Sequence, residues 1–126
     1  MIDEKYMIEF EKEINSTLQE NYRNAMLDQN GGKFRVNGSD WNLFPIFDPS
    51  DKTGRTNLEG DVLRLTKEYS EMLSYPNGAL ILGEKNEILF ITFPGSDGYY
   101  QWDFCELECK FTADSYSEFI PVELTS

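Results

Sequence analysis

The chain has no histidine and only two cysteines, Cys105 and Cys109, among its 126 residues. Without histidine there is neither a Cys-His pair nor an ordinary Ser-His-Asp triad, because a nucleophilic thiol or hydroxyl needs a base beside it. Ser-Lys chemistry lacks its S-x-x-K spacing. The cysteines form a single C-x3-C with no second pair, so a structural zinc site is short of ligands. On one extended strand they would lie roughly 13 Å apart, beyond disulfide reach. Only a tight turn through Glu106-Leu107-Glu108 would unite them. Both are expected as reduced thiols, at least one of them in the core. Phosphate-cradling glycine patterns are also missing, with neither G-x-G-x-x-G nor a P-loop present.

Positive charge is scarce as well. Lys plus Arg number 11 against 23 for Asp plus Glu, a net charge of -12. Such a surface repels nucleic-acid phosphates and anionic lipid, so neither is an expected direct partner. No apolar run approaches the ~20 residues of a membrane span. The opening "MIDEKYMIEFEKEI" has neither the basic head nor the apolar stretch of a secretion signal, and a cytoplasmic location is expected.

What the chain does have is carboxylates and rings. Asp48, Asp51 and the pair Asp97 and Asp103 raise the possibilities of Ca²⁺ binding or glycosidase chemistry. "DPSDKTGRTNLE" fails the ligand spacing of a Ca²⁺ loop, and solvated turn carboxylates are the simpler reading. No cofactor, metal or catalytic residue is predicted. Nine Phe and seven Tyr predict a ring-rich core, each buried ring excluding about 150–250 Å².

Periodicity orders the elements. Met7, Phe10, Ile14 and Leu18 share a helical stripe, and a second helix is expected from about Gln19 to Asn30, with Tyr22, Ala25 and Met26 on one face. Asn30-Gly31-Gly32 is a helix stop. "KFRV" and "WNLFPIF" read as strands about an Asn37-Gly38 turn, with Pro45 marking an edge or a break. A polar loop over "DPSDKTGRTN" should precede a helix from Leu58 to Leu73. "ALIL" and "EILFITF" form strands about a Gly83–Asn86 turn, followed by "YYQWDF" and "CKFTA". A closing helical turn over "SYSEFIPVEL", capped by Asp114 or Ser115, is limited by Pro121. Helices first and strands later predict one α+β domain over residues 1–126, helices packed on a mostly antiparallel sheet.

In this order the elements resemble the SUKH superfamily, named partly for yeast cell-wall-assembly regulators and rich in bacterial immunity proteins. The matching residues are Leu18, Tyr22, Asn30, Gly31, Gly32, Trp41 and Leu43. They continue through Leu82-Gly83, Asp97-Gly98, Trp102-Asp103 and Ser115-Tyr116-x-x-Phe119-Ile120. Gln19 departs from the proline common in the family at the second helix start. The resemblance implies a non-catalytic immunity protein that neutralises a cognate toxin domain, such as a nuclease with a basic surface. The alternative it allows is a scaffold binding an endogenous signalling or envelope-related protein. Trp41 is expected in the core, packing helices on the sheet. Strand alternation sets Tyr99 and Trp102 on opposite faces, one of them reaching the surface. The expected partner-binding set is therefore Tyr99 or Trp102 as anchor, ringed by Asp97, Asp103, Glu106 and Glu108. Monomer and homodimer both stay open, since an exposed sheet edge can pair.

Overall fold

Asp3 opens the first helix, its carboxylate accepting the Lys5 backbone N–H at 3.1 Å, an N-cap that satisfies one of the helix's unpaired donors. The computed structural model describes residues 2–47, 61–72, 75–95, 98–103, 105–114 and 117–122. In it α1 spans Glu4–Glu13 and buries Met7 and Phe10. The helix ends at Asn15, which takes a left-handed φ of 54°. Leu18 is nevertheless buried, so its place on the helical stripe reflects the chain folding back. Glu11 fixes that return, accepting from the Leu18 N–H at 2.8 Å and from Arg23 at 3.1 Å.

The second helix, α2, runs Glu20–Asp28 and buries Tyr22 and Met26. Gln19 precedes it without capping it. Its amide instead reaches the far strands, donating to Thr92 Oγ1 at 3.0 Å and to the Gly98 carbonyl at 3.3 Å. A proline at this position would offer no such amide, which gives the departure from the family pattern a structural use.

α2 ends before the expected Asn30-Gly31-Gly32 stop, at Asp28 with Gln29 already extended, and the three residues instead lead the chain into β1. Gly31 and Gly32 have φ of 91° and 99°, a region that residues with a Cβ rarely enter. A Cβ on Gly31 would also meet Pro45 N at 3.1 Å and Leu43 O at 3.2 Å. Asn30 Nδ2 donates to the Ile46 carbonyl and its Oδ1 accepts from the Ile46 N–H, both at 2.8 Å. The side chain thus stands in for a strand where Pro45 interrupts pairing.

The strands are β1 Gly32–Val36, β2 Ser39–Leu43, β3 Leu80–Lys85, β4 Ile88–Thr92, β5 Tyr99–Asp103, β6 Glu108–Ala113 and β7 Phe119–Pro121. They form one antiparallel sheet in the order β6-β5-β4-β3-β2-β1-β7. The Asn37-Gly38 turn is as expected, with both residues at positive φ, the geometry that matches strand twist in a two-residue hairpin. Pro45 lies beyond the end of β2, marking a break and not an edge. The helix expected from Leu58 to Leu73 is α3, Val62–Ser70, capped by Asp61 and packed on β3. The polar loop before it, with Asp48 and Asp51, lies outside the described residues.

Two expectations differ. The β3–β4 turn is only Asn86-Glu87, and Gly83 sits inside β3 at a break in register. Its role is close approach: a Cβ there would stand 2.6 Å from the Asn42 carbonyl oxygen. Where a closing helical turn is expected, the described residues Phe119–Pro121 form a strand. Phe119–Pro121 pairs with Phe34–Val36, because β1 would otherwise leave an open row of backbone groups.

The sheet curls on itself. Phe119, on one edge strand, meets the Tyr99 ring at 5.1 Å and Phe90 at 6.0 Å. Asn37 Nδ2, in the β1–β2 turn, donates to the Thr112 carbonyl of β6 at 2.9 Å. Tyr22 of α2 packs edge-on to Phe119, and Trp41 lies 5.0 Å from Phe90. As expected, Trp41 is core, 1% exposed.

Candidate interaction surface

The β5–β6 turn gathers acidic side chains for a local reason. Asp103 Oδ1 accepts the backbone N–H groups of Cys105 and Glu106 at 2.9 and 3.1 Å, closing an Asx-type turn. Leu107 completes it at φ 56°. The neighbouring β3–β4 turn brings Glu87 alongside, where Cys105 Sγ donates to Glu87 Oε2 at 3.1 Å. That hydrogen bond, followed by weak desolvation and the charges of Glu87, Asp103 and Glu106, raises the Cys105 thiol above its ordinary pKa. Cys105 is therefore a thiol, not a thiolate, near neutral pH, and the turn cannot activate it. Burial raises Cys109 in the same direction.

Glu87, Asp103, Glu106 and Glu108 form an anionic rim. Lys110, 3.5 Å from Glu108, is the cation paired within it. Three other cations, Lys33, Arg35 and Lys85, line a groove on the β1–β3 surface with Asp40 and Glu84. There Arg35 and Asp40 pair at 2.8 Å, which lowers the Asp40 pKa. Leu107, 57% exposed, stands in the turn between Glu106 and Glu108, and Phe111, 62% exposed, lies further along β6 against Tyr100.

Of the expected partner-binding residues, Asp103, Glu106 and Glu108 come together at this turn. Asp97 lies outside the described residues. Tyr99 and Trp102 lie in the core, at 0% and 1% exposure, and neither can present a ring to a partner in this fold. The alternation between them holds, but both faces of β5 are covered. Tyr99 stacks on Phe90 and donates from its hydroxyl to Asn21 Oδ1 of α2 at 2.6 Å. Trp102, across the strand, meets Tyr75 edge-on at 5.4 Å. Leu107 and Phe111 take the exposed role, which the sequence does not single out because a turn leucine carries no periodic signal. The cysteines correct a further expectation. Both are exposed and unbridged, so neither is core, although the tight turn between them does form.

Among the described residues no group of three or more His, Cys, Asp or Glu side chains is placed to hold a metal ion. No helix among them is long and apolar enough to cross a membrane. The model of the SMI1 / KNR4 family (SUKH-1) matches residues 1–121. The chain belongs to this family. No curated protein matches it. The resemblance to the SUKH superfamily rests largely on Tyr22, Asn30, Gly31, Trp41, Gly83 and Phe119, whose roles here are packing, clamping and close approach. SUKH membership is therefore written in what holds the sheet and helices together. Of the acidic turn, Asp103 is among the residues that carry the resemblance, whereas Glu87, Glu106 and Glu108 are not.

Proposed function

We propose that this SUKH protein is an immunity protein that binds a cognate toxin domain and neutralises it by protein–protein contact, without catalysis. SUKH membership is consistent with such a role. The observation that carries the proposed contact face is the β5–β6 turn, where exposed Leu107 stands next to Glu106 and Glu108, with Glu87 and Asp103 alongside, and exposed Phe111 lies further along β6, opposite Tyr100. An interface needs desolvated apolar anchors for affinity, while surrounding charges mainly set approach and partner choice. A rim of this sign suits a toxin with a basic, phosphate-binding surface. The net charge of -12 would steer such a partner, raising association rates by about 10–10³-fold at low salt.

The test is co-expression with the toxin domain encoded beside the protein, followed by binding kinetics on the purified pair. Neutralisation with direct binding supports the reading. Binding without neutralisation would favour the scaffold alternative, and neither would end the immunity reading. The face is tested separately by Leu107→Asn, which tolerates the positive φ at this turn while removing the apolar anchor. Losing burial of one leucine, about 1.5–3 kcal/mol, should weaken binding roughly 10–150-fold. Unchanged affinity in Leu107→Asn would move the contact face elsewhere.

A further inference from the structure

Strand β6 closes one edge of the sheet with no neighbour beyond it among the described residues. Its upper end is occupied, since Asn37 takes the Thr112 carbonyl and the register with β5 breaks between Tyr99 and Tyr100. The open stretch of strand is Glu108 to Phe111, preceded by the turn residue Leu107, all of it exposed, with Cys109 within it. An edge strand of this kind is a template for antiparallel pairing with another chain.

We propose that β6 pairs antiparallel with β6 of a second copy about a two-fold axis at Cys109. In that register residues equidistant from Cys109 face each other. Glu108 opposes Lys110 of the second copy, and Leu107 lies beside its Phe111, each contact occurring twice. Both kinds of cross-strand pair are favourable. The neighbouring registers that keep Phe111 on the same face of the extended sheet are centred on Glu108 or on Lys110. Each sets like charges directly opposite at the axis, which destabilises. Registers centred between residues turn the exposed rings toward charged side chains. The charge pattern thus selects one arrangement, and the occupant it fits is this chain itself. Phe111 already leans on Tyr100 at 5.7 Å, and Tyr100 on Phe93 at 5.4 Å, so the added strand would extend a cross-strand row of rings.

This pairing does not depend on the immunity reading. It shares Leu107, Glu108 and Phe111 with the proposed toxin face, so a dimer and a toxin complex would compete for this end of the sheet. The pairing brings the two Cys109 residues directly opposite, with Cα atoms about 4.5–5.5 Å apart, within disulfide range.

The experiment uses purified full-length protein at physiological ionic strength, where exposed charges more than about 8 Å apart are largely screened. Sedimentation velocity over a concentration series is compared for wild type, Lys110→Glu and the swap Glu108→Lys/Lys110→Glu. We expect a concentration-dependent dimer, weakened about tenfold or more in Lys110→Glu and recovered in the swap. In a Cys105→Ser background, glutathione disulfide should join the Cys109 thiols. The new S–S bond releases two protons and two electrons, and the oxidant becomes two glutathione molecules. That cross-link should fade in Lys110→Glu and return in the swap. Circular dichroism checks that each variant is folded. A chain that stays monomeric at every concentration and forms no Cys109 cross-link overturns the proposal, as does a dimer indifferent to Lys110→Glu.

Discussion

Replacing Gly83 by alanine isolates one steric contact on which the middle of the sheet depends. Gly83 pairs with Leu43 on β2 and Phe90 on β4, and its φ is not in the left-handed region. An alanine is therefore conformationally acceptable, and taken alone it would stabilise by about 0.4–1 kcal/mol through the unfolded chain. The opposing contribution is contact. The new Cβ would lie 2.6 Å from Asn42 O, 2.7 Å from Leu43 Cδ2 and 3.0 Å from Leu43 Cα. The leucine methyl can rotate away, but the other two atoms are β2 backbone. Opening the β2–β3 spacing to admit a methyl is overpacking, which costs about 1–3 kcal/mol. The net expectation is about 1–2 kcal/mol of destabilisation. For a chain of this size that is roughly 4–8 °C in Tm, or about 1 M in the urea midpoint. Urea denaturation followed by far-UV circular dichroism measures it. Gly78 is the control: it has φ 82° and open space around it, so Gly78→Ala should be relieved by Gly78→Asn, whereas Gly83→Asn should be worse than Gly83→Ala. A Gly83→Ala midpoint at or above wild type would refute the close-approach argument.

Asn30→Ala should destabilise by about 2–4 kcal/mol, because the Ile46 N–H and carbonyl both lose their partner and each unpaired group costs about 1–3 kcal/mol; thermal unfolding would show it. Alkaline pH should unfold the protein. Burial pushes Tyr75 up to about 12 and raises Tyr22 and Tyr99 in the same direction. Above pH 10 the unfolded chain releases these protons while the folded chain keeps them, so stability is intact below about 10 and falls steadily through 12. Absorbance at 295 nm should show some of the tyrosines ionising only as the fold is lost; complete titration near pH 10 with native circular dichroism would contradict this. Glu87→Gln removes the carboxylate that holds the Cys105 proton, so alkylation of Cys105 at pH 8 should accelerate while Cys109 is unaffected; equal rates before and after would show the hydrogen bond to be inconsequential.

Local signals are enough for much of the fold. The α1 and α2 stripes and the Asn37-Gly38 hairpin each depend on a few adjacent residues, and backbone sterics read the same way in any context. The missing histidine and the excess of carboxylates are equally independent of context, and they limit the available chemistry whatever the fold. Other features depend on chain segments far apart in sequence. Phe119–Pro121 is a strand because β1 lies beside it, although its own sequence also suits a helical turn. Residue 83 is a strand residue because it pairs with Leu43 and Phe90, and it is a glycine because Asn42 leaves no room for a Cβ. Tyr99 and Trp102 are buried on opposite faces because Asn21 and Tyr75 arrive from distant segments. The exposure of Phe111 and Cys109 follows from β6 being an edge, that of Leu107 and Cys105 from the turn before it, and strand order is a property of the whole sheet. Sequence determined the helices and the tight Asn37-Gly38 turn, since helix and turn propensities act over a few residues, but not that the last element is a strand. Tertiary structure decided which faces water meets, since burial depends on what the rest of the chain brings alongside.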